Sequence, residues 1–144
     1  MMSDEAFFMD TSIPIYAAGR PGAHKETCSK ILEKIERDEM NAAIDTEVIQ
    51  EILYRFHTLD MERQGLELSQ NVLRLGLRVL PVLKRDIEDA LPLFEKYISR
   101  KIPPRDVLHT AVMVNNGIGK VITLDKHFGD IIKEVERLEP GSLL

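Results

Sequence analysis

Four acidic residues, far apart in the chain, stand where the ends of secondary-structure elements could bring them together. Two of them directly follow apolar runs typical of buried strands, and the other two lie in the opening turns of predicted helices. They are Asp10, Glu51, Asp106 and Asp125. Oxygen-only clusters of carboxylates are what Mg²⁺ and Mn²⁺ prefer as ligands. The set therefore indicates chemistry that depends on a divalent cation.

Short β-rich runs alternate with longer amphipathic segments along the chain. The predicted strands cover residues 6–9, 41–44, 78–83, 120–124 and 135–138. The predicted helices cover about 13–17, 23–37, 61–76 and 126–133, and others open near 46, 84 and 105. Pro92 should kink the helix that contains it. This alternation predicts an α/β fold, a doubly wound parallel sheet of order 3-2-1-4-5 with helices on both faces, as a single domain over 1–144.

In such a sheet, the ends of the strands and the starts of the helices open on one edge, where strand order reverses. If strands one and four are neighbours, the four carboxylates converge there and repel one another unless a cation neutralises them. Each acid also has a simpler interpretation. Asp10, Asp106 and Asp125 could each cap a helix or complement its dipole, and Glu51 could be a solvated residue paired with Arg55.

Composition limits the classes of protein to consider. The 144 residues are 44% hydrophobic and 30% charged, and the single cysteine, Cys28, allows no intrachain disulfide. No apolar run approaches the ~20 residues that span a bilayer, and residues 1–5 are acidic where a signal peptide would be basic. We expect a cytoplasmic protein without a membrane partner. The net charge of −5, with no Lys/Arg block, argues against nucleic-acid binding unless metal neutralises some of the acids.

Four segments in register resemble the PIN-domain nucleases, whose best-known small members are the VapC-type toxins of toxin–antitoxin pairs. They are Phe7–Ser12 (FFMDTS), Glu47–Leu53 (EVIQEIL), Arg105–Ala111 (RDVLHTA) and Val121–Phe128 (VITLDKHF). The resemblance implies the doubly wound fold and Mg²⁺- or Mn²⁺-dependent hydrolysis of single-stranded RNA. It also implies an antitoxin protein as a partner and a homodimer.

The resemblance assigns roles to particular residues. The family's four acids map to Asp10, Glu51, Asp106 and Asp125, with Asp10 as the central ligand, and the hydroxyl positions that orient the site map to Thr11 and Thr123. Many members carry another acid two residues after the fourth, where this chain has His127. Asp130 is a substitute for it from a different point on the helix. This departure implies a weaker second-metal site.

Basic residues near the predicted mouth of the site are candidates for RNA contacts. They are Arg20, Lys25, Arg105, Lys126 and His127, and each also fits an ordinary solvated base. His109, one turn after Asp106, is interpreted as a partly buried polar residue of its helix rather than a ligand. Cys28 falls on an apolar stripe and is predicted to lie in the core.

Three other classes of protein compete with a nuclease. A phosphoacceptor receiver domain needs an aspartate after strand three, where Leu83-Lys84-Arg85 stands, and a dehalogenase-like phosphatase needs an aspartate at the position of Ser12. A non-enzymatic PIN-like scaffold is compatible with His127 and the acidic net charge. The helix over 61–76 has more apolar residues than one stripe holds, which predicts a subunit contact.

Overall fold

A five-stranded parallel sheet forms the centre of the computed structural model, which describes residues 5–144. Residues 1–4, part of the acidic N-terminal segment considered above, lie outside the described residues. The strands are β1 (Phe7–Met9), β2 (Ala42–Asp45), β3 (Arg78–Leu80), β4 (Lys120–Ile122) and β5 (Glu136–Leu138). Their order is β3-β2-β1-β4-β5, and every neighbouring pair is parallel. Both the predicted fold class and the predicted strand order are confirmed.

Strand order reverses at β1, which pairs with β2 on one side and with β4 on the other. Phe8 faces Ala43 in β2 and Val121 in β4. All three side chains are fully buried, because a strand covered by helices on both faces must be apolar on both. Beyond the last paired residues, the backbone N–H of Asp10 donates to the carbonyl of Ile122 at 3.0 Å. The ends of β1 and β4 therefore stay side by side.

Seven helices connect or flank the described strands. They are α1 (Ser12–Ala17), α2 (Ala23–Glu36), α3 (Thr46–Thr58), α4 (Glu62–Leu73), α5 (Lys84–Lys96), α6 (Pro104–Asn115) and α7 (His127–Asp130). Asp45 caps α3 by accepting the N–H of Val48 at 3.1 Å, and Pro104 occupies the first position of α6, where its missing N–H costs nothing. Despite Pro92, α5 is one continuous element from Lys84 to Lys96. Short 3₁₀ turns cover Ile98–Arg100 and Pro140–Leu143.

Several predicted elements are shorter than expected, and two of the differences have a clear physical cause. The strand predicted to reach residue 83 ends at Leu80, since Pro81 has no N–H to continue a ladder. The helix predicted over 126–133 is wrong for most of its length, because α7 ends at Asp130 and is irregular inside. Phe128 has ψ 125° and Gly129 has φ 84°, and a Cβ at Gly129 would lie 3.0 Å from the backbone nitrogen of Arg137.

The core extends beyond the sheet into α2 and α6. Cys28 on α2 is fully buried, as its position on an apolar stripe predicts, and burial raises the pKa of its thiol to about 11. The helix α6 has no single apolar stripe, because both its apolar and its polar side chains are buried along most of its length. Among the described residues, no helix has the length and apolar character needed to cross a membrane.

Candidate metal centre

Thr123 connects two of the predicted acids at the reversal of strand order. It follows β4, it is fully buried, and its hydroxyl donates to Oδ2 of Asp10, just after β1, at 2.7 Å. The same hydroxyl oxygen accepts the backbone N–H of Asp125 at 2.9 Å. The hydroxyl of Ser12 lies 3.4 Å from it. Thr123 therefore holds the carboxylate of Asp10 and the backbone of Asp125 close to each other.

His127 lies between the other two acids of this edge. Its Nε2 contacts Oδ2 of Asp106, which is buried in the first turn of α6, and its Nδ1 lies 2.7 Å from Oδ1 of Asp125. The His127 side chain is 17% exposed and that of Asp125 is 42% exposed. We call Asp106, His127 and Asp125 the outer array. It is open to solvent on the side of Asp125.

A second histidine bridges two further carboxylates deeper in the protein. Nδ1 of His109 lies 2.7 Å from Oδ2 of Asp45, and its Nε2 lies 2.5 Å from Oε1 of Glu51. The side chains of His109 and Asp45 are fully buried. The other oxygen of Glu51 lies 3.5 Å from Nε of Arg105. We call Asp45, His109 and Glu51 the inner array.

The two arrays meet at Asp106. Potential ligand atoms of Asp10, Asp106 and His109 all lie within 4.8 Å of one another, and so do those of Asp106, Asp125 and His127. Within residues 5–144 these are the groups of acidic, histidine or cysteine side chains close enough to share an ion. Glu51 is connected to the first group through His109.

The histidines change the electrostatics that the sequence predicted. Burial favours neutral histidine, but the hydrogen bonds and charges of Asp45 and Glu51 outweigh it and raise the pKa of His109 well above its usual range. Asp106 and Asp125 raise the pKa of His127 in the same way. The acids are therefore not the unpaired set that was expected, since Glu51 contacts His109, and Asp106 and Asp125 both contact His127.

Asp106 is the acid whose ionisation is most hindered. Burial raises the pKa of its carboxyl, the charge of Asp10 raises it further, and the hydrogen bond from His127 opposes both effects. In the same region, burial and the charge of Glu51 raise the pKa of Glu47. A cation at this edge would favour the ionised form of Asp106.

The residues at this edge fit a divalent cation. Asp10, Asp106 and Asp125 offer hard carboxylate oxygens, and His127 offers an imidazole nitrogen, a donor set suited to Mg²⁺, Mn²⁺ and related ions. The hydroxyl of Thr11 beside Asp10 is buried and, within the described residues, has no hydrogen-bond partner. Such an orphaned oxygen is expected where water or an ion completes the structure.

The structure separates the predicted site residues into three sets. Asp10, Asp106, Asp125, Thr123 and His127 lie together, and Glu51 reaches them through His109 and pairs with Arg105 rather than with Arg55. The third set is Arg20, Lys25 and Asp130, which no described contact joins to these carboxylates. Lys25 donates to the carbonyl of Gly19 at 2.9 Å. Arg20 and Asp130 are exposed, and so is Lys126.

His109 is the site residue that sequence reasoning placed wrongly. It is fully buried rather than partly buried, and it contacts the acids instead of filling a polar position on α6. One signal was present in the sequence. Asp106 and His109 are three residues apart, which puts both on one face of a helix.

Comparison with known proteins agrees with the geometry. The carboxylates gather where strand order reverses, which is the usual ligand site of a doubly wound sheet, and residues 7–134 match the PIN domain. The chain belongs to the PIN-domain family. Within that family it is similar to ribonuclease VapC13 of Mycobacterium tuberculosis, with 28% identity over 130 residues that cover 90% of this chain and 97% of that protein. The resemblance read from the four sequence segments is thus confirmed.

Solved structures show the same fold. The chain superposes on Mycobacterium tuberculosis VapC20, a sarcin–ricin loop cleaving toxin, with a TM-score of 0.71 and 19% identity, over 88% of this chain and 93% of that one. It superposes on a chain of Rickettsia felis VapBC2 bound to promoter DNA with a TM-score of 0.70 and 15% identity, over 92% and 97%. The sheet also excludes a receiver domain, whose strand order is 2-1-3-4-5.

Proposed function

We propose that this protein is a divalent-metal-dependent endoribonuclease that hydrolyses phosphodiester bonds of single-stranded RNA and acts as the toxin of a toxin–antitoxin pair. The observation that carries the proposal is the convergence of Asp10, Asp106 and Asp125 around Thr123 and His127. The VapC relatives and the PIN-domain match support the toxin and nuclease parts.

In this proposal Asp10, Asp106 and Asp125 hold Mg²⁺ or Mn²⁺, with Asp10 as the central ligand and Glu51 as a ligand or as the group that orients water. When bound, the cation would stabilise negative charge on the phosphate and make water more acidic. Thr123 keeps two of the ligands in register, and Thr11 offers a further oxygen. Asp130, exposed on α7, is not needed in this arrangement.

Substrate contacts are proposed for bases at the rim. Arg105 is half exposed beside Glu51, and Lys126 is exposed next to His127, so both could hold phosphate oxygens close to the carboxylates. Arg20 and Lys25 remain candidates for RNA contacts further out. A bound cation would also lower the negative potential that the acids present to RNA, which reconciles the net charge with an anionic substrate.

The proposed partners are an antitoxin protein and a second copy of the chain, in the cytoplasm. The antitoxin proposal is supported by the solved neighbours, among them the VapBC2 complex. For a homodimer, the support is a surface of α4: Leu66 is 40% and Leu73 is 50% exposed, while Gly65 and Val72 face the protein interior. A contiguous exposed apolar patch is typical of an interaction surface.

The test is the substitution Asp10→Asn, assayed on labelled single-stranded RNA with Mg²⁺ or Mn²⁺. We expect cleavage to fall about a thousandfold, because one metal ligand contributes several kcal/mol to transition-state stabilisation. The thermal unfolding curve should stay near that of the unmodified chain. A matched control is Asp86→Asn, which removes a buried carboxylate whose described partners are Leu83, just before α5, and Asn115 on α6.

Cleavage by Asp10→Asn at the unmodified rate would remove Asp10 from the site. A catalytically inactive binding scaffold is the alternative, and the observation that favours it is His127 between Asp106 and Asp125 in place of an acid. Calorimetric binding of Mn²⁺ without cleavage of any RNA by the unmodified chain would support the scaffold instead.

A further inference from the structure

We propose that His109, held by Asp45, is a positioning residue that fixes the carboxylate of Glu51 at the edge of the metal centre. This inference rests on the proposed nuclease function, because it assigns a role to residues behind that site. Neither Asp45 nor His109 was among the predicted site residues. The argument is geometric and depends on where each atom of the inner array is held.

Asp45 is held in place by contacts other than the one with His109. It is the last residue of β2, its side chain is fully buried, and it pairs with Leu80 of β3 in the sheet. Its Oδ1 accepts the N–H of Val48 at 3.1 Å, which leaves Oδ2 for His109. A side chain bound at both oxygens has one available position. Asp45 is therefore a rigid base for the imidazole.

The ring of His109 is in turn confined. It is fully buried, its Nδ1 lies 2.7 Å from Asp45, and its centroid lies 5.2 Å from that of the Phe8 ring in the central strand. Rotation about either side-chain torsion would break the contact with Asp45. Nε2 is thus presented in one direction, toward Glu51.

Glu51 has more side-chain torsions than Asp45 or His109. Its long side chain is 12% exposed and lines a cavity of about 670 Å³ between α3, α5 and α6, into which it could rotate. Arg105 is a weak alternative anchor, because its own side chain is 57% exposed and its Nε is 3.5 Å away. The contact with His109, at 2.5 Å, is the one that directs the carboxylate to the site.

The test is a double-substitution cycle in the full-length chain, measured as the single-turnover rate of single-stranded RNA cleavage with Mn²⁺. We expect His109→Gln to lower the rate about 10- to 100-fold, as is common when a partner behind a ligand is removed. In the Glu51→Gln background the same substitution should change the rate by no more than about twofold. A factor of about two is the scatter with which independent effects add, so a change of that size counts as no effect. If His109→Gln does not fold, Asp45→Asn takes its place in the cycle.

An equal loss in both backgrounds would overturn the proposal, since it would mean that His109 acts on the fold and not through Glu51. The matched control is Asp86→Asn, a buried carboxylate that accepts hydrogen bonds from the Leu83 backbone and the Asn115 side chain. It should lower the unfolding temperature and leave the rate unchanged, which shows that loss of stability alone does not mimic the effect.

A second measurement needs no activity. In the metal-free protein, NMR should show the two ring-nitrogen resonances of His109 displaced by hydrogen bonding, both lost in His109→Gln. Glu51→Gln should displace one of them and Asp45→Asn the other. If the unmodified chain cleaves no RNA, the proposed function fails, but these two resonances still support the positioning role. Undisplaced resonances in the folded protein overturn it.

Discussion

The inner and outer arrays contain the same chemical groups, a histidine between two carboxylates, in different surroundings. His109 is fully buried, whereas the side chain of His127 is 17% exposed and that of its partner Asp125 is 42% exposed. A buried array with every nitrogen bonded cannot exchange partners without unfolding locally, but an exposed one can. On the proposed function, the inner array holds Glu51 in place, and the outer array is where water or substrate reaches the cation.

The backbone around each array agrees with this division. The inner array joins β2, α3 and α6, three regular elements that pack in the core. The outer array depends on α6 and on the segment after β4, where Phe128 and Gly129 leave helical geometry. Regular elements position side chains more firmly than irregular segments do.

The largest expected difference between the arrays is in stability. His109→Leu leaves the buried carboxylate of Asp45 without a cation, which we expect to cost about 3–5 kcal/mol in the free energy of unfolding. His127→Leu should cost less, about 1–2 kcal/mol, because its partner Asp125 reaches solvent and burial already favours the protonated form of its other partner, Asp106. Urea denaturation of the metal-free proteins measures both. Equal losses would mean that the two arrays do not differ in this way.

A smaller effect should come from changing the ligand in the outer array. His127→Asp puts a carboxylate where many family members carry one, and added ligand charge strengthens cation binding, so Mn²⁺ affinity should rise by roughly tenfold, about 1.4 kcal/mol. The control is His57→Asp, the same change in the last turn of α3, where the described partner is Glu62. Calorimetry should show no gain for the control. Weaker binding by His127→Asp would mean that the imidazole itself is the better ligand.

The ion pair of Lys96 and Glu134, away from both arrays, shows how much an ordinary charged pair contributes to stability. Burial disfavours ionisation of Glu134, but hydrogen bonds from Lys96 and Tyr97 outweigh it and lower the pKa of Glu134. A lowered folded-state pKa gives stability that is present above the ordinary pKa of glutamate and is lost as pH falls through the folded value. The unfolding temperature of the unmodified chain should therefore exceed that of Glu134→Gln at neutral pH.

That difference should be small and should disappear in acid. Thermal unfolding across a pH series measures it, with the exposed Glu95→Gln on α5 as the control that stays level. A difference that persists unchanged below the folded pKa would show that Glu134 stabilises by packing and not by charge.

Much of the fold could be predicted from the sequence, because it depends on local patterns. Apolar runs and helical periodicity determined the element types, and the alternation of strands and helices led to the strand order. The positions of Asp10 and Asp125 after strands, and of Asp106 at a helix start, follow from the same patterns. These residues lie at the ends of strands and helices, where the order of the strands determines which side chains come close together.

The inner array could not be predicted, because it depends on side-chain directions inside the core. Asp45 has an obvious local role as the cap of α3, which hides its second contact with a histidine 64 positions away. His109 stands among buried apolar residues of α6, and nothing in the pattern shows which way its ring points. The irregular α7 was missed because the sequence pattern does not show that Gly129 has φ 84° or that it lies close to the backbone of Arg137.

The central claim is that Asp10, Asp106 and Asp125 together bind a divalent cation, and Asp106 is common to both groups. The most direct measurement is calorimetric titration of Mn²⁺ into the unmodified chain and into Asp106→Asn. We expect the unmodified chain to bind Mn²⁺ and Asp106→Asn to lose that binding while its metal-free form remains at least as stable, since burial already opposes ionisation of this carboxyl. Equal Mn²⁺ affinity in the two proteins, or none in either, would contradict the claim.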